Sequence, residues 1–377
     1  MSDKKPSGLQ DVVVAQSSIC YIDGQRGQLV YRGYDIDDLA ENASFEEVAW
    51  LLWNGNLPTQ SELSGLQQDL AAAMHFPKHL LELLKELPFD ANPMRVLSIA
   101  TAALGTLDPD ADDLSPEANR KKAINLTAQL PLITTAWHHV RNGTEIPQPK
   151  ADKSLAYNFL WMLNGAPPDD YAVRTFDAVL ILHADHELNA STFSARVTAA
   201  TLSDLHSAVT SAICTLKGPL HGGANEAVMQ MLQEIGEVEN VGRYMEKLRA
   251  DGKKVMGFGH RVYKAKDPRA KILEKMSEEL GKRAGDTKWF EMTRAVEEIF
   301  QPQVAAKGIY PNVDFYSASA YQVMGIPRDL FTPIFACSRV VGWTAHLLEQ
   351  YANNRLFRPS SDYIGETGRK YTPLASR

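Results

Sequence analysis

The stretch Thr332–Gln350, TPIFACSRVVGWTAHLLEQ, decides the fold class. It lies within a helix predicted over 328–351, where Arg339 interrupts the otherwise apolar run IFACSRVVGW. A cation inside such a helix needs a partner or a ligand. Upstream the helical patterning continues. YAVRTFDAVLILHA (171–184) is apolar nearly all round at its C-terminal end, as a buried helix is. A second internal helix, over 203–216, stops at Lys217-Gly218-Pro219, and Ala224–Leu232 begins another. Within 267–283, Ile272, Leu273, Met276 and Leu280 recur at helical spacing. Further runs cover 61–74, 93–106, 116–140 and 152–163, with an acidic loop, DPDADDLSPE, at 108–117.

Ser44 with Glu47 and Thr59 with Glu62 are capping-box pairs, and Asn54-Gly55 with Pro58 closes the first of the helices they open. Near the N-terminus, ICYIDGQRGQLVYRGY reads as two short strands around Asp23–Gly27. Strands and helices do not alternate, which argues against a doubly wound sheet. There is no internal repeat and no low-complexity linker. The expected fold is all-α, with one small N-terminal β-hairpin.

A chain of 377 residues favours two lobes over one, and Gly218–Gly223 is a plausible boundary. The net charge of −7 gives no basic field for nucleic acid or an anionic membrane. Cys20, Cys214 and Cys337 are too scattered for a zinc or disulfide scaffold, which fits a reducing, cytoplasmic setting. MSDKKPSGLQD has no apolar stretch after its lysines, so no secretory signal is expected, and no uncharged run is long enough to span a bilayer. Residues 249–271 hold eight basic side chains against Asp251 and Asp267. That balance suits an anionic ligand, and equally a solvated basic face.

Three glycine-flanked segments carry candidate chemistry: KGPLHGGANE with His221, GFGHRVYKAKDPR with His260, and YPNVDFYS with Asp314. Two imidazoles and a carboxylate can together remove and supply protons near neutral pH. Arg261, Lys264 and Arg269 put positive charge around His260, which disfavours its imidazolium. Such a histidine can donate to a carbonyl oxygen as negative charge builds there; a structural turn histidine is the other reading. His221 precedes a helix start, which lowers a histidine pKa, although a capping histidine fits as well. Asp314 has apolar and aromatic neighbours that raise a carboxyl pKa. It is alternatively the N-cap of the following helix.

HADHELNAST (183–192) lacks the zincin spacing, so no metal site is expected. His186, with Asn189 and Ser191 near it, suits hydrogen bonding to a polar substrate. Arg358 lies in a C-terminal tail able to reach another subunit. No Walker A motif, dinucleotide fingerprint or nucleophile elbow is present.

Taken together, IDGQRGQLVYRGYDIDDLA, LHADHELNAST, LKGPLHGGANE, GFGHRVYKAKDPRA, GIYPNVDFYS, FTPIFACSRVVGWTAH and NRLFRP resemble the citrate synthase family, in order and over nearly the whole chain. The resemblance implies a two-domain all-α homodimer. Residues 1–220 with 327–377 would form the large domain and 221–326 the small one, closing over substrates between them. It implies condensation of acetyl-CoA, a co-substrate, with oxaloacetate and water to give citrate and CoA, the entry step of the tricarboxylic acid cycle, with no permanently bound cofactor. By family pattern His221, His260 and Asp314 are catalytic. Oxaloacetate falls to His186, His221, His260, Arg269 and Arg339, with Arg358 from the other subunit.

Arg261, Lys264, Lys307, Gly308, Ile309 and Asn312 are candidates for CoA, although Lys264 stands where some members carry a phosphate-binding arginine. Two alternatives remain open. One is a 2-methylcitrate synthase using propionyl-CoA, or an enzyme with both activities. The other is an inactive CoA-binding homologue, against which the intact trio argues.

Overall fold

The computed structural model describes residues 7–9 and 12–377. The leader reading made on Met1–Asp11 lies outside them apart from Ser7–Leu9. Among the described residues are sixteen α-helices and one small antiparallel sheet. The sheet runs β1 (Cys20–Asp23), β2 (Gln28–Tyr31), β3 (Tyr34–Asp35), with Cys20 opposite Tyr31 and Asp23 opposite Gln28. The third strand extends the expected hairpin. Arg32 and Gly33 both take positive φ there and fold the chain straight back.

Capping chemistry punctuates the helices that follow. After α1 (Ile36–Asn42), α2 (Phe45–Asn54) and α3 (Gln60–Ala73) open on the two capping boxes read above. Then come α4 (Lys78–Glu86), α5 (Pro93–Leu107), α6 (Pro116–Asn142), α7 (Leu155–Asn164) and α8 (Asp170–His183). Asn92 and Ser115 cap α5 and α6, each followed by a proline whose missing N–H costs nothing in the first turn. Next are α9 (Ala190–Ala199), α10 (Leu205–Leu216), α11 (Ala224–Ile235) and α12 (Val241–Ala250). The last four are α13 (Pro268–Ala284), α14 (Lys288–Val304), α15 (Val313–Val323) and α16 (Phe331–Ala352). None of the helices is long and apolar enough to cross a membrane, among the described residues.

The helix α16 is the axis of the molecule. Every residue from Phe331 to Leu347 is buried, and α2, α5, α6, α8, α9, α10 and α11 pack around it. A helix apolar on all sides can be stable only when covered on all sides. Four connections converge near it and near α15: the α8–α9 turn, the α10–α11 turn, the long loop before α13 and the short one before α15. The last two are stitched together. Gly259 N–H donates to the Tyr310 carbonyl at 2.8 Å, and Asn312 N–H donates to the Gly257 carbonyl at 2.9 Å. Gly257 has φ 78°, and a Cβ there would lie 2.7 Å from both Phe315 and Val228. The hairpin tip holds the same loop from outside, since Lys264 N–H donates to the Gly24 carbonyl at 2.8 Å.

Gly342 sets how closely the α8–α9 turn approaches α16. A Cβ at this position would meet the Ala184 carbonyl oxygen at 2.2 Å and Asp185 Oδ1 at 2.5 Å. Alanine in a helix interior gains about 1 kcal/mol over glycine, but overpacking a core costs about 1–3 kcal/mol. Backbone cannot swing aside as a side-chain end can, so the second effect should win. Gly342→Ala is expected to lower the urea midpoint at unchanged slope. A midpoint at or above wild type would mean that the turn yields freely.

Candidate active site

Two buried guanidiniums lie at the bottom of the site. Arg269, in the first turn of α13, is held by Asp267: its Nε donates to Oδ1 at 3.0 Å and its Nη2 to Oδ2 at 2.7 Å. This forked pair survives burial because both carboxylate oxygens are used. Asp267 also caps α13 through the Arg269 N–H. Arg339 is only 1% exposed and differently satisfied. Its Nε donates to the His183 carbonyl at 2.6 Å, its guanidinium lies 4.7 Å from the Phe335 ring centroid, and its Nη2 has no hydrogen-bond partner among the described residues. Burial lowers its pKa to about 10.

Four histidines surround this charge. His260 Nδ1 accepts from the backbone N–H groups of Val262 and Tyr263 at 3.0 and 3.2 Å. An acceptor Nδ1 leaves the ring proton on Nε2. Burial first, then Arg269, holds His260 down to about 4. His221 has the opposite tautomer. Its Nε2 accepts the Ser191 N–H at 3.3 Å and lies 2.9 Å from Ser191 Oγ, so the proton sits on Nδ1. Ser191 is fixed in turn by Trp343 Nε1–H at 3.1 Å and by Asn189 Oδ1 at 2.7 Å. Burial and then Arg339 hold His221 at about 4. His221 also lies just ahead of α11 (Ala224–Ile235), the helix start anticipated from the sequence.

His186 has its Nε2 at 3.3 Å from the Tyr263 hydroxyl, and its ring centroid is 5.0 Å from that of His260. Burial, then Arg269, depresses its pKa strongly. His183 is buried too, with Nδ1 donating to the Val179 carbonyl at 2.8 Å. Near pH 7 all four imidazoles are therefore neutral, able to donate a hydrogen bond without adding charge.

Asp314 is the second residue of α15, and Asn312 is the N-cap. The Asn312 side-chain oxygen takes the Asp314 N–H at 3.0 Å, while its amide donates to the Gly259 carbonyl at 3.1 Å. Capping therefore falls to Asn312, and the Asp314 carboxylate is left out of the helix start. Its Oδ1 is buried without a partner among the described residues. Burial pushes its pKa up to about 7, against the pull of Arg269.

His183, His186, His221, His260, Arg269, Arg339 and Asp314 thus share one electrostatic environment, although they come from five separated segments. Arg358 lies elsewhere: it is exposed in the tail and donates to the Pro359 carbonyl at 2.7 Å. Arg261, Lys264 and Lys307 are exposed, and a Cβ on Gly308 would lie 3.4 Å from the Lys264 carbonyl, so those two loops are neighbours. Ile309 is partly buried beside them. Tyr263, Asp267 and Trp343 escaped the sequence reading. Asp267 alone left a usable trace, an acid directly before Pro268 at a helix start within a basic run.

A family model described as "Citrate synthase, C-terminal domain" matches residues 8–360. "Citrate synthase 2" of Bacillus subtilis is 52% identical, covering 98% of each chain. A citrate synthase of Haloferax volcanii is 50% identical and a 2-methylcitrate synthase of Shewanella oneidensis 43% identical, both over 100% of each chain. The crystal structure of citrate synthase from Pyrobaculum aerophilum superposes with a TM-score of 0.91 at 43% identity, covering 98% of this chain and 94% of that one. The Thermoplasma acidophilum enzyme, solved as a ternary complex with carboxymethyl coenzyme A and oxaloacetate, gives 0.91 at 34% identity and 98% of each chain. The helical architecture, the motif order and these likenesses agree, and the chain belongs to the citrate synthase family.

Proposed function

We propose that the protein condenses acetyl-CoA with oxaloacetate and water, giving citrate and CoA. The observation that carries this reading is the pairing of a poised carboxyl with two neutral imidazoles of fixed tautomer. A thioester methyl group is a very weak carbon acid, so its proton leaves only if the base is placed well and the developing oxyanion is stabilised. Asp314 removes that proton. His221 Nδ1–H donates to the thioester oxygen, where charge builds as the enol or enolate forms. The new carbon nucleophile attacks the ketone carbon of oxaloacetate, whose oxygen is polarised by His260 Nε2–H. Water then cleaves the citryl thioester, releasing CoA. Arg269, Arg339 and His186 take the oxaloacetate carboxylates, since guanidiniums match a carboxylate with two parallel bonds.

Arg261, Lys264 and Lys307, around Gly308, Ile309 and Asn312, make up the CoA side. In this reading 221–326 contributes His221, His260, Arg269 and Asp314, and the flanking 1–220 and 327–377 contribute His186 and Arg339. The substrates would then bridge two domains. The enzyme would act in the cytoplasm, at the entry of the tricarboxylic acid cycle, without a permanently bound cofactor. The deciding assay is oxaloacetate-dependent release of CoA thiol from acetyl-CoA and propionyl-CoA in parallel. Faster release from acetyl-CoA is expected. One methylene is worth only about 1–3 kcal/mol in a pocket, and the Shewanella relative is a 2-methylcitrate synthase. Preference for propionyl-CoA would move the protein to that branch, and silence with both would remove the activity.

Asp314 must be ionised to act as a base, so kcat/KM is expected to fall as pH drops through about 7. Asp314→Asn should reduce turnover by about 10²-fold or more. Its folded pKa lies above the ordinary 3.8, so the stability this carboxyl contributes is full below 3.8 and lost as pH rises through about 7. Asp314→Asn should therefore be more stable than wild type in mild alkali, by on the order of a few kcal/mol, and level with it in acid. Near-normal turnover, or a stability difference independent of pH, would contradict the role.

We further propose a homodimer in which Arg358 enters the partner subunit's site. Ile99 and Leu107 on α5, Val197 on α9 and Leu202 just beyond α9 are exposed apolar side chains that a second copy would cover. An Arg358→Ala protein mixed with Asp314→Asn should regain activity once subunits exchange, because one site per heterodimer is then whole. No recovery after verified exchange would place Arg358 outside the site.

A further inference from the structure

Arg339 is anchored by a single hydrogen bond from Nε, and among the described residues no carboxylate forms an ion pair with it. A buried cation needs a counter-charge, and the candidates can be taken in turn. Asp267 has both oxygens committed to Arg269. Asp314 must exchange a proton in the proposed reaction. Tyr31 on β2 and Cys20 on β1 face Arg339, but burial pushes both groups up and keeps them neutral. Arg269 on α13 repels it, and His183, His186 and His221 are uncharged. Asp185, in the α8–α9 turn, remains.

Asp185 is fully buried. Its Oδ2 faces His346 Nε2 at 3.3 Å and accepts the Glu187 N–H at 3.2 Å, while its Oδ1 has no hydrogen-bond partner among the described residues. The His346 contact has a fixed direction. His346 Nδ1 lies 3.2 Å from Arg196 Nη1, which can only donate, so the imidazole proton is on Nε2 and points at Asp185. Arg196 is itself tied to Glu349 Oε2 at 2.9 Å and Gln350 Oε1 at 3.0 Å. Glu349 Oε1 accepts the Ser18 N–H at 3.0 Å. A continuous polar chain thus runs from the edge of the molecule to Asp185 and ends there.

We propose that Asp185, oriented by His346, is a positioning residue: it is the counter-charge that holds Arg339 as an open receptor for a substrate carboxylate. A carboxylate in direct contact would occupy the guanidinium and compete with substrate. One held close by, but outside ion-pair distance, stabilises the cation and leaves Nη2 free. Burial pushes the Asp185 pKa up, but His346 and Arg339 outweigh it and hold the group below the usual carboxylate range. Gly342 belongs to the same device, because any larger residue would press on Asp185 Oδ1.

The inference rests on the proposed oxaloacetate site, and its test separates the two. Oxaloacetate binding to the full-length protein is measured calorimetrically, alongside kcat and both KM values, for Asp185→Asn, His346→Gln and His346→Leu. Removing one nearby charge should raise the oxaloacetate Kd and KM of Asp185→Asn by about tenfold or more, with a smaller fall in kcat and little change in the acetyl-CoA KM. His346→Gln keeps a donor toward Asp185 and an acceptor toward Arg196, and should stay near wild type. His346→Leu keeps neither, and should follow Asp185→Asn.

The pH dependence discriminates further. Between about pH 8 and about pH 9.5 Asp314 is ionised, His183, His186, His221 and His260 are neutral, and Tyr31, Cys20 and Arg269 keep their protons, whereas Arg339, lowered to about 10, begins to respond. Loss of Asp185 lowers the Arg339 pKa, so affinity should fall more steeply with pH in this range than in wild type. A folded Asp185→Asn with unchanged oxaloacetate affinity and unchanged pH slope overturns the proposal. If that variant does not fold, unchanged affinity in His346→Leu overturns it equally. Failure of the wild-type protein to bind oxaloacetate would instead remove the functional reading beneath it.

Discussion

A positive charge buried in the central helix is the constraint on which the rest of the site depends. α16 must be covered on every side, yet it carries Arg339 in the middle of its buried run. Leaving a charge uncompensated in such a place costs several kcal/mol even after relaxation. The surroundings answer with polar groups that would otherwise have no reason to be there. The His183 carbonyl at the end of α8 accepts from Arg339 Nε, Asp185 sits in the turn that follows, and a phenylalanine ring lies against the guanidinium. Gly342 lets that turn come close enough for this to work.

The same buried positive field decides how the histidines behave. An exposed histidine would be partly protonated near neutrality. Here burial and the two arginines act in the same direction, and His221 and His260 stay neutral well into acid. Neutral imidazoles are weaker donors than imidazolium, but they carry no charge to repel the arginines and no proton that a carboxylate could take. Backbone N–H groups then fix which nitrogen is protonated, so that His260 offers Nε2 and His221 offers Nδ1. For Asp314 burial and charge oppose each other. Burial raises its pKa and Arg269 pulls it back, with a balance near 7, where a base is both available and strong enough to matter.

Much of this was legible in the sequence, for identifiable reasons. Capping boxes at Ser44 and Thr59, the glycine after α2 and the prolines opening α5, α6 and α13 are local signals, and local signals place helix ends. The helices α1, α4, α9, α12 and α14 carry no such signal in the sequence reading. α9, ASTFSARVTA, holds two serines and two threonines in ten residues and is a helix chiefly because Asn189 caps it and α10 and α16 pack on it. The three glycine-flanked segments stood out because tight backbone is visible as composition. Their supports did not. Ser191 was read as a neighbour of His186, whereas it bonds His221, and its third contact is Trp343, 152 positions away. No spacing rule connects residues that far apart. The N-cap assignment failed by two residues because Asp and Asn are equally good caps, and only the backbone determines which of them is used.

Asp314 Oδ1 and Arg339 Nη2 both lie buried without hydrogen-bond partners among the described residues, on opposite sides of the proposed division of the chain. Each such atom costs about 1–3 kcal/mol, and more where it carries charge. A sequence selected for stability alone would remove both, since apolar residues at 314 and 339 would leave no unpaired polar atom. Their retention has a chemical reason. A carboxylate whose oxygen is already hydrogen-bonded is a weaker base, and a guanidinium already paired is a weaker receptor for an anion. In the proposed reaction the stability lost at these two atoms would be recovered as substrate groups reach them, so part of the binding energy would go into completing the folded state.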